Sequence, residues 1–420
     1  MINSFLLVII TVLLSAIFQT GIDTEKDPKT KGTLSDTVIA NQYFRKADLL
    51  AKSAKFDSAI HFFLEAGNIF KSMQLWEMYA KCLNGISEQY LFKMDNEKTK
   101  EYCHLSLKIC LVHSLIHERG NSYNTLGALY FNNGYLDSAR IYFNKALRTW
   151  LNDEKINYLS IAVLYTNTSI LNTETGYFEE ALIEAKKAIE ILDTLQGNHD
   201  EYLAYNFNGI GNIFYKKGDY QRAIANYKKA DSLCKRIYPT DHPIFSSINN
   251  NIGESLRALG DFSQALIYLK NTIVTVTSSN EKKYPNMASF YHNIGMIYTE
   301  MKQFTEALSS YNAAIKIWSE MNGQEINLSI TYNNIGHIYE ILNKNDSAEN
   351  YFNKSINLLK NKYPIHPDLA SCYSNLGGIY SKSVNNNAAL SYYKKALHIC
   401  ELNFGSKHPR IAIININIAK

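Results

Sequence analysis

Three histidines, His242, His366 and His408, each stand immediately before a proline, and Cys400 precedes His408 by eight residues. Imidazoles and thiolates hold zinc, and a thiol beside an imidazole makes an activated nucleophile. The spacing argues against both chemistries. The histidines are 124 and 42 residues apart, and the six cysteines (Cys82, Cys103, Cys110, Cys234, Cys372, Cys400) contain no C-x-x-C pair and no compact framework. No Gly-rich phosphate loop, clustered carboxylates or nucleophile elbow accompanies them. These residues therefore read as turn and helix-start histidines and as small core cysteines. No catalytic residue, cofactor or metal is expected.

The elements that carry them read as helical throughout. Only 7 prolines and 20 glycines occur in 420 residues, and Lys29 to Tyr238 is a proline-free run of 210. With 46% hydrophobic and 20% charged residues the chain can bury a core. The 43 basic and 39 acidic residues leave +4 with no basic block, so neither nucleic acid nor a small-molecule substrate is expected. At the front, Phe5 to Phe18 is an apolar run of 14 residues followed by polar and charged sequence. Residues 1–22 therefore read as a signal peptide or an N-terminal anchor, and 23–39 as a linker, which makes the chain secreted or periplasmic, or anchored by that segment.

A fixed period organises the remainder. Small residues recur at Gly127, Ser169, Gly211, Gly253, Gly295, Gly336, Gly377 and Ala419, at intervals of 41 or 42. Twelve residues after each of the first seven comes an alanine: Ala139, Ala181, Ala223, Ala265, Ala307, Ala348 and Ala389. Around these anchors the apolar residues fall three and four apart, as in two successive helices. A large residue follows the first anchor by three (Tyr130, Phe214, Tyr298, Tyr339, Tyr380), and another follows the alanine by four (Phe143, Tyr227, Leu269, Tyr311, Phe352, Tyr393). Gly134, Gly176, Gly218 and Gly260 are placed to end the first helix with a left-handed cap.

This pattern, L/I-G-x-x-Y then G-x-F/Y-x-x-A then F/Y-x-x-A, resembles the tetratricopeptide repeat. The 42-residue period and the junctions Tyr238 to Pro243, Tyr363 to Asp368 and Phe404 to Arg410 are similar to its kinesin-light-chain-like subclass. The resemblance implies an all-α fold, a right-handed superhelical solenoid of antiparallel helix pairs. Residues 40–116 read as two degenerate units, in the second of which Gly85 falls two residues out of phase. Residues 117–420 read as seven units plus the first helix of a further, truncated one. In a solenoid the histidine junctions lie along one edge, too far apart to share an ion.

Two residues before the small anchor stand Asn167, Asn251, Asn293, Asn334, Asn375 and Asn417. The resemblance places them on the first helices, which line the concave surface, where such asparagines grip the main chain of an extended peptide. An amide both donates and accepts, which suits that task, and it equally suits a bond to the neighbouring repeat. Tyr215, Arg257, Glu300, His337 and Lys382 flank the series. The expected function is an exported scaffold that binds a peptide or partner protein without catalysis. The alternative is the sensor half of a larger CHAT-type peptidase or histidine kinase that continues past Lys420. The Asn-, Lys- and Tyr-rich composition fits an AT-rich bacterial genome.

Overall fold

The computed structural model describes residues 34–53, 55–238, 242–278, 286–404 and 409–419. The apolar segment Phe5 to Phe18, His408 and Lys420 lie outside them. Among the described residues there are nineteen helices and no strand. The chain divides into two compact units, residues 1–239 and 240–420.

The first unit holds five antiparallel pairs: α1 (Leu34–Lys52) with α2 (Phe56–Ser72), α3 (Trp76–Phe92) with α4 (Asn96–Val112), α5 (Ile116–Asn132) with α6 (Leu136–Leu151), α7 (Tyr158–Glu174) with α8 (Phe178–Thr194), and α9 (Asp200–Lys216) with α10 (Tyr220–Ile237). The second holds α11 (Pro243–Ala258) with α12 (Phe262–Ser278), α13 (Asn286–Glu300) with α14 (Phe304–Ser319), α15 (Glu325–Ile341) with α16 (Asn345–Leu359), and α17 (Pro367–Lys382) with α18 (Asn386–Phe404), followed by α19 (Pro409–Ala419). Within each unit every pair packs on the next in chain order, an all-α solenoid run. The helix α1 starts at Leu34, inside the stretch expected as linker. From its second turn on it is held by the same apolar packing as the rest, since Ala40 and Phe44 belong to the core.

In five of the nine pairs the closing contact is a ring set against a glycine, and over Gly253 the side chain of Leu269 takes the ring's place. A Cβ placed on Gly295 would sit 2.7 Å from the Tyr311 ring, and one on Gly377 would sit 2.6 Å from Tyr393. The ring thus occupies the volume a side chain would take, and the two helices close over a fully buried aromatic. Where Ser169 replaces glycine, the residue sixteen later shrinks to Ala185, and the Ser169 hydroxyl donates to the Ala181 carbonyl at 2.8 Å. In α3 the same place belongs to Ser87, twelve residues before Thr99, both wholly buried. Gly85, the out-of-phase glycine, instead takes the Phe63 ring of the preceding pair. The alanines that follow these anchors by twelve are all buried, from Ala139 to Ala389.

A second contact repeats outside this seam. Tyr130 stacks on Tyr142 at 5.2 Å, Tyr339 on Tyr351 at 5.4 Å and Tyr380 on Tyr392 at 5.5 Å. Lys145, Lys354 and Lys395 lie over the second ring of each stack. Stacked rings capped by an ammonium add directional attraction to burial. All six cysteines are buried and free. Burial pushes the thiols of Cys103, Cys110, Cys234 and Cys372 up to about 12.

Helix ends follow local rules. His242 and His366 are N-caps: Nδ1 of each accepts, at 3.3 Å, the backbone N–H two residues on, and the proline after each opens the helix where a missing N–H is harmless. From α3 to α17 the first helices end in a left-handed residue. At Gly134, φ +78°, the Tyr135 N–H reaches back to the Tyr130 carbonyl and the Gly134 N–H to Phe131, both at 2.9 Å. In α17 the same turn falls on Val384, φ +58° and 82% exposed, a β-branched residue in a region that disfavours any Cβ. Val384→Gly is therefore expected to raise unfolding stability by about 1 kcal/mol, read from urea melts, because strain is relieved and no buried contact is lost.

Candidate functional site

On each first helix the small anchor faces its own partner helix, so residues two before, one after and five after it fall on the opposite face. That face is where the expected asparagines lie. In the first unit Asn167 is fully buried and its Nδ2 donates to Asn124 Oδ1 of the preceding pair at 3.1 Å. In the second unit Asn293 Nδ2 donates to Asn250 Oδ1 at 2.7 Å and to Glu254 Oε1 at 3.0 Å, and Asn375 Nδ2 donates to Asn333 Oδ1 at 3.0 Å. The three share one register: the residue two before an anchor bonds the residue three before the preceding anchor. Asn334 hydrogen-bonds the Tyr311 hydroxyl. Asn251 and Asn417 are half-buried.

The structure thus joins each of these three asparagines to another that the sequence reading passed over. Asn124, Asn250 and Asn333 carry a recurrence of their own, three residues before the anchor, which could have been found beside the first. In each of these rungs the amide donor goes to a neighbouring helix. Asn293 thereby commits both of its amide hydrogens, whereas Asn375 keeps one, so oxygens and a single N–H remain for a bound chain. One rung departs from amide chemistry: His292, at the asparagine place of α13, meets Thr331 Oγ1 at 2.8 Å. The single proton of Thr331 goes to the Asn327 carbonyl at 2.8 Å, so Nδ1 of His292 is the donor and the ring is the neutral Nδ1–H tautomer.

The flanking residues of the second unit are tied together at the ends of the first helices. Arg257 pairs with Glu300, and Lys382 Nζ lies 2.7 Å from Glu340, which His337 also approaches. The His337 hydrogen bond, followed by Lys382, holds the Glu340 carboxyl at about 2. Tyr215, in the first unit, packs its ring 5.5 Å from Tyr220.

The first unit presents a different face. Glu88, directly after Ser87, is wholly buried, and neither carboxyl oxygen has a hydrogen-bond partner. Burial, reinforced by Glu118 and then Asp48, raises its pKa well above the usual carboxylate range. Glu118 Oε2 is held by Asn84 at 2.9 Å and Asn121 at 3.1 Å, while its Oε1 accepts nothing. No sequence signal had marked Glu88.

Tetratricopeptide repeat models match residues 120–149, 200–273, 286–361 and 369–410, together more than half of the chain. The chain belongs to the tetratricopeptide repeat family. No curated protein matches this repeat array. Among solved structures it is similar to the apo form of the quorum sensor NprR from B. thuringiensis, at 13% identity and TM-score 0.64, covering 87% of this chain and 98% of that one. It is also similar to the apo form of RapI, at 14% identity and TM-score 0.60, covering 87% and 99%. Aspartyl phosphate phosphatase F from Bacillus subtilis is similar at 17% identity and TM-score 0.53, covering 89% and 97%. These likenesses concern the fold. No helix of the repeat array among the described residues is long and apolar enough to cross a membrane.

Two buried ionisable groups of the array have opposite pH signatures. Burial lowers His292 from 6.5 to about 4, so the unfolded chain takes up a proton first as pH falls. Its contribution is full above pH 6.5 and is lost between there and pH 4, about 3 kcal/mol in all. Urea melts at pH 7.5 and pH 4.5 should show that loss, and His292→Gln should remove most of the difference. Glu88 has a raised folded pKa, so its contribution is present at low pH and lost as pH rises above the ordinary carboxyl range. Glu88→Gln should therefore stabilise the protein at pH 8 by roughly 1–3 kcal/mol, with the gain vanishing near pH 4.

Proposed function

We propose that the chain is a scaffold that binds an extended peptide, or an extended segment of a partner protein, along the face of its first helices. The observation that carries this reading is the amide column of the second unit. Asn251, Asn293, Asn334 and Asn375 recur at one register on successive first helices, half-exposed or just below the surface. With both amide hydrogens of Asn293 and one of Asn375 committed to rungs, the column offers chiefly carbonyl oxygens to a peptide's N–H groups. A bound strand is thereby read through its main chain, while Arg257, Glu300, His337 and Lys382 at the helix ends sort its side chains.

The 42-residue period and the His-Pro caps at α11 and α17 support the kinesin-light-chain-like form of the repeat. The apolar run Phe5 to Phe18 supports export, with residues 1–22 serving as the signal. Both belong to this proposal. No site for chemistry enters it, since the paired charges are engaged at helix ends and the thiols are held protonated.

The test uses peptides selected from a random display library on the wild-type chain. The Asn293→Ala, Asn334→Ala double variant should bind them roughly tenfold more weakly, the loss expected from two hydrogen bonds, with far-ultraviolet circular dichroism unchanged. Equal binding by wild type and double variant would remove the asparagines from the binding face.

A further inference from the structure

The first unit carries an excess of hydrogen-bond acceptors that its own fold leaves unanswered. Asp48 Oδ1, both carboxyl oxygens of Glu88, Glu118 Oε1, Asn132 Oδ1, Asn167 Oδ1 and Glu174 Oε1 are buried and accept no hydrogen bond. Their positions are not scattered. Asp48 follows Ala47, a buried small residue twelve before Ala59, as Glu88 follows Ser87; Asn132 and Glu174 come five after an anchor and Asn167 two before, so all five lie on the face turned from the partner helix. The equivalent residue in α15, His337, is exposed. The other unpartnered polar atoms are elsewhere on their helices: the Gln89 amide stands two after Ser87, where other repeats bury Leu129 or Ile297, Arg119 Nε eight before Gly127, the Ser160 hydroxyl nine before Ser169, and His199 Nδ1 at the start of α9.

An uncompensated buried carboxyl lowers stability, and a fold retains such a group where it answers a ligand. The groups acting on Glu88 are Asp48 from α1 and Glu118 from α5, and Glu88 in turn acts on Cys103 of α4; none brings a positive charge. The cations nearby are already engaged: on this face Lys52 pairs with Asp48 Oδ2 at 3.1 Å and Lys216 with Glu174 Oε2 at 2.8 Å, while Lys81 pairs with Glu77 at 2.9 Å and also acts on Glu118. None of them partners Glu88, whose two oxygens are left without a charged donor.

We propose that this face of the first unit receives a basic side chain, the ammonium of lysine or the guanidinium of arginine, from a peptide bound along the first helices of that unit, with Glu88 as its counter-ion. The proposal rests on the peptide-binding reading and names the chemistry of the bound segment. On binding, the proton of the Glu88 carboxyl passes to solvent and the carboxylate formed pairs with the cation. Asp48 and Glu118 add further attraction. Because the carboxyl is closed off from bulk water, uptake is coupled to an opening of the face between α3 and α5.

The probes are three acetylated, amidated nonapeptides in which serine alternates with lysine, norleucine or glutamate. Isothermal titration with the full chain should give at least about tenfold tighter binding for the lysine peptide than for the norleucine peptide, with protons released in buffers of differing ionisation enthalpy. Affinity for the lysine peptide should rise about tenfold from pH 6 to pH 8. Glu88→Gln, whose fold is checked by its melting curve, should abolish both the proton release and the pH dependence. Binding of all three peptides alike, or a Glu88→Gln variant that behaves as wild type, overturns the basic-ligand inference and leaves the groove reading standing. Binding of none overturns the inference too, and the groove reading is then decided by the display-selected peptides.

Discussion

A helix of seventeen residues, the length of α5 and of most of its neighbours, is marginal in water by itself, so every helix here depends on what covers its apolar stripe. The cover is set by one contact: a large side chain of the second helix, a ring in most pairs, pressed into the gap left by a residue of minimal size on the first. That contact fixes how near the two axes come and how each helix is rotated about its own axis. Everything else inherits the rotation. Once the ring of Tyr311 sits over Gly295, the stacked tyrosines, the asparagine rungs and the charged helix ends all have their directions. The Ser169 and Ala185 exchange shows that the constraint is on summed volume, since a side chain gained on one helix is given up on the other.

The same register supports two unlike polar environments. In the second unit charge is settled between neighbours, as with Arg257 and Glu300 or Lys382 and Glu340, and the helix faces remain partly open to water. In the first unit the faces are closed, and acceptors outnumber donors on them. A repeat architecture tolerates this because each pair answers only to the pairs beside it. Strain or an unmet charge at α3 is confined there and does not propagate to α7. Local penalties of this kind are how a uniform scaffold acquires places that differ from one another.

The fold was legible in the sequence because its governing contact is local and repeats: the glycine, the alanine twelve on and the ring four beyond that all lie within one helix pair. The asparagine column was legible for the same reason. Its partners were not, because Asn124, Asn250 and Asn333 act across 42 or 43 residues and share their column with Thr166, His292 and Ser374, which blurs the pattern. The tie of Asn334 to Tyr311 was hidden likewise, being visible only when two pairs are stacked. Glu88 escaped for a different reason. The α3 pair runs two residues out of phase, so that Ser87 stands where glycine was sought, and a carboxylate beside an unrecognised anchor looks like any surface charge.

Six cysteines in a chain of this length would ordinarily make folding depend on the compartment in which it happens. Here each thiol is buried, in places between successive pairs as where Cys372 Sγ meets Ser355 Oγ of α16 at 2.9 Å, and protonation is favoured by burial at all six positions. A protonated, enclosed thiol neither attacks a disulfide nor is attacked. Once folded, the array therefore offers no reactive thiol through which a reducing or an oxidising medium could act on it.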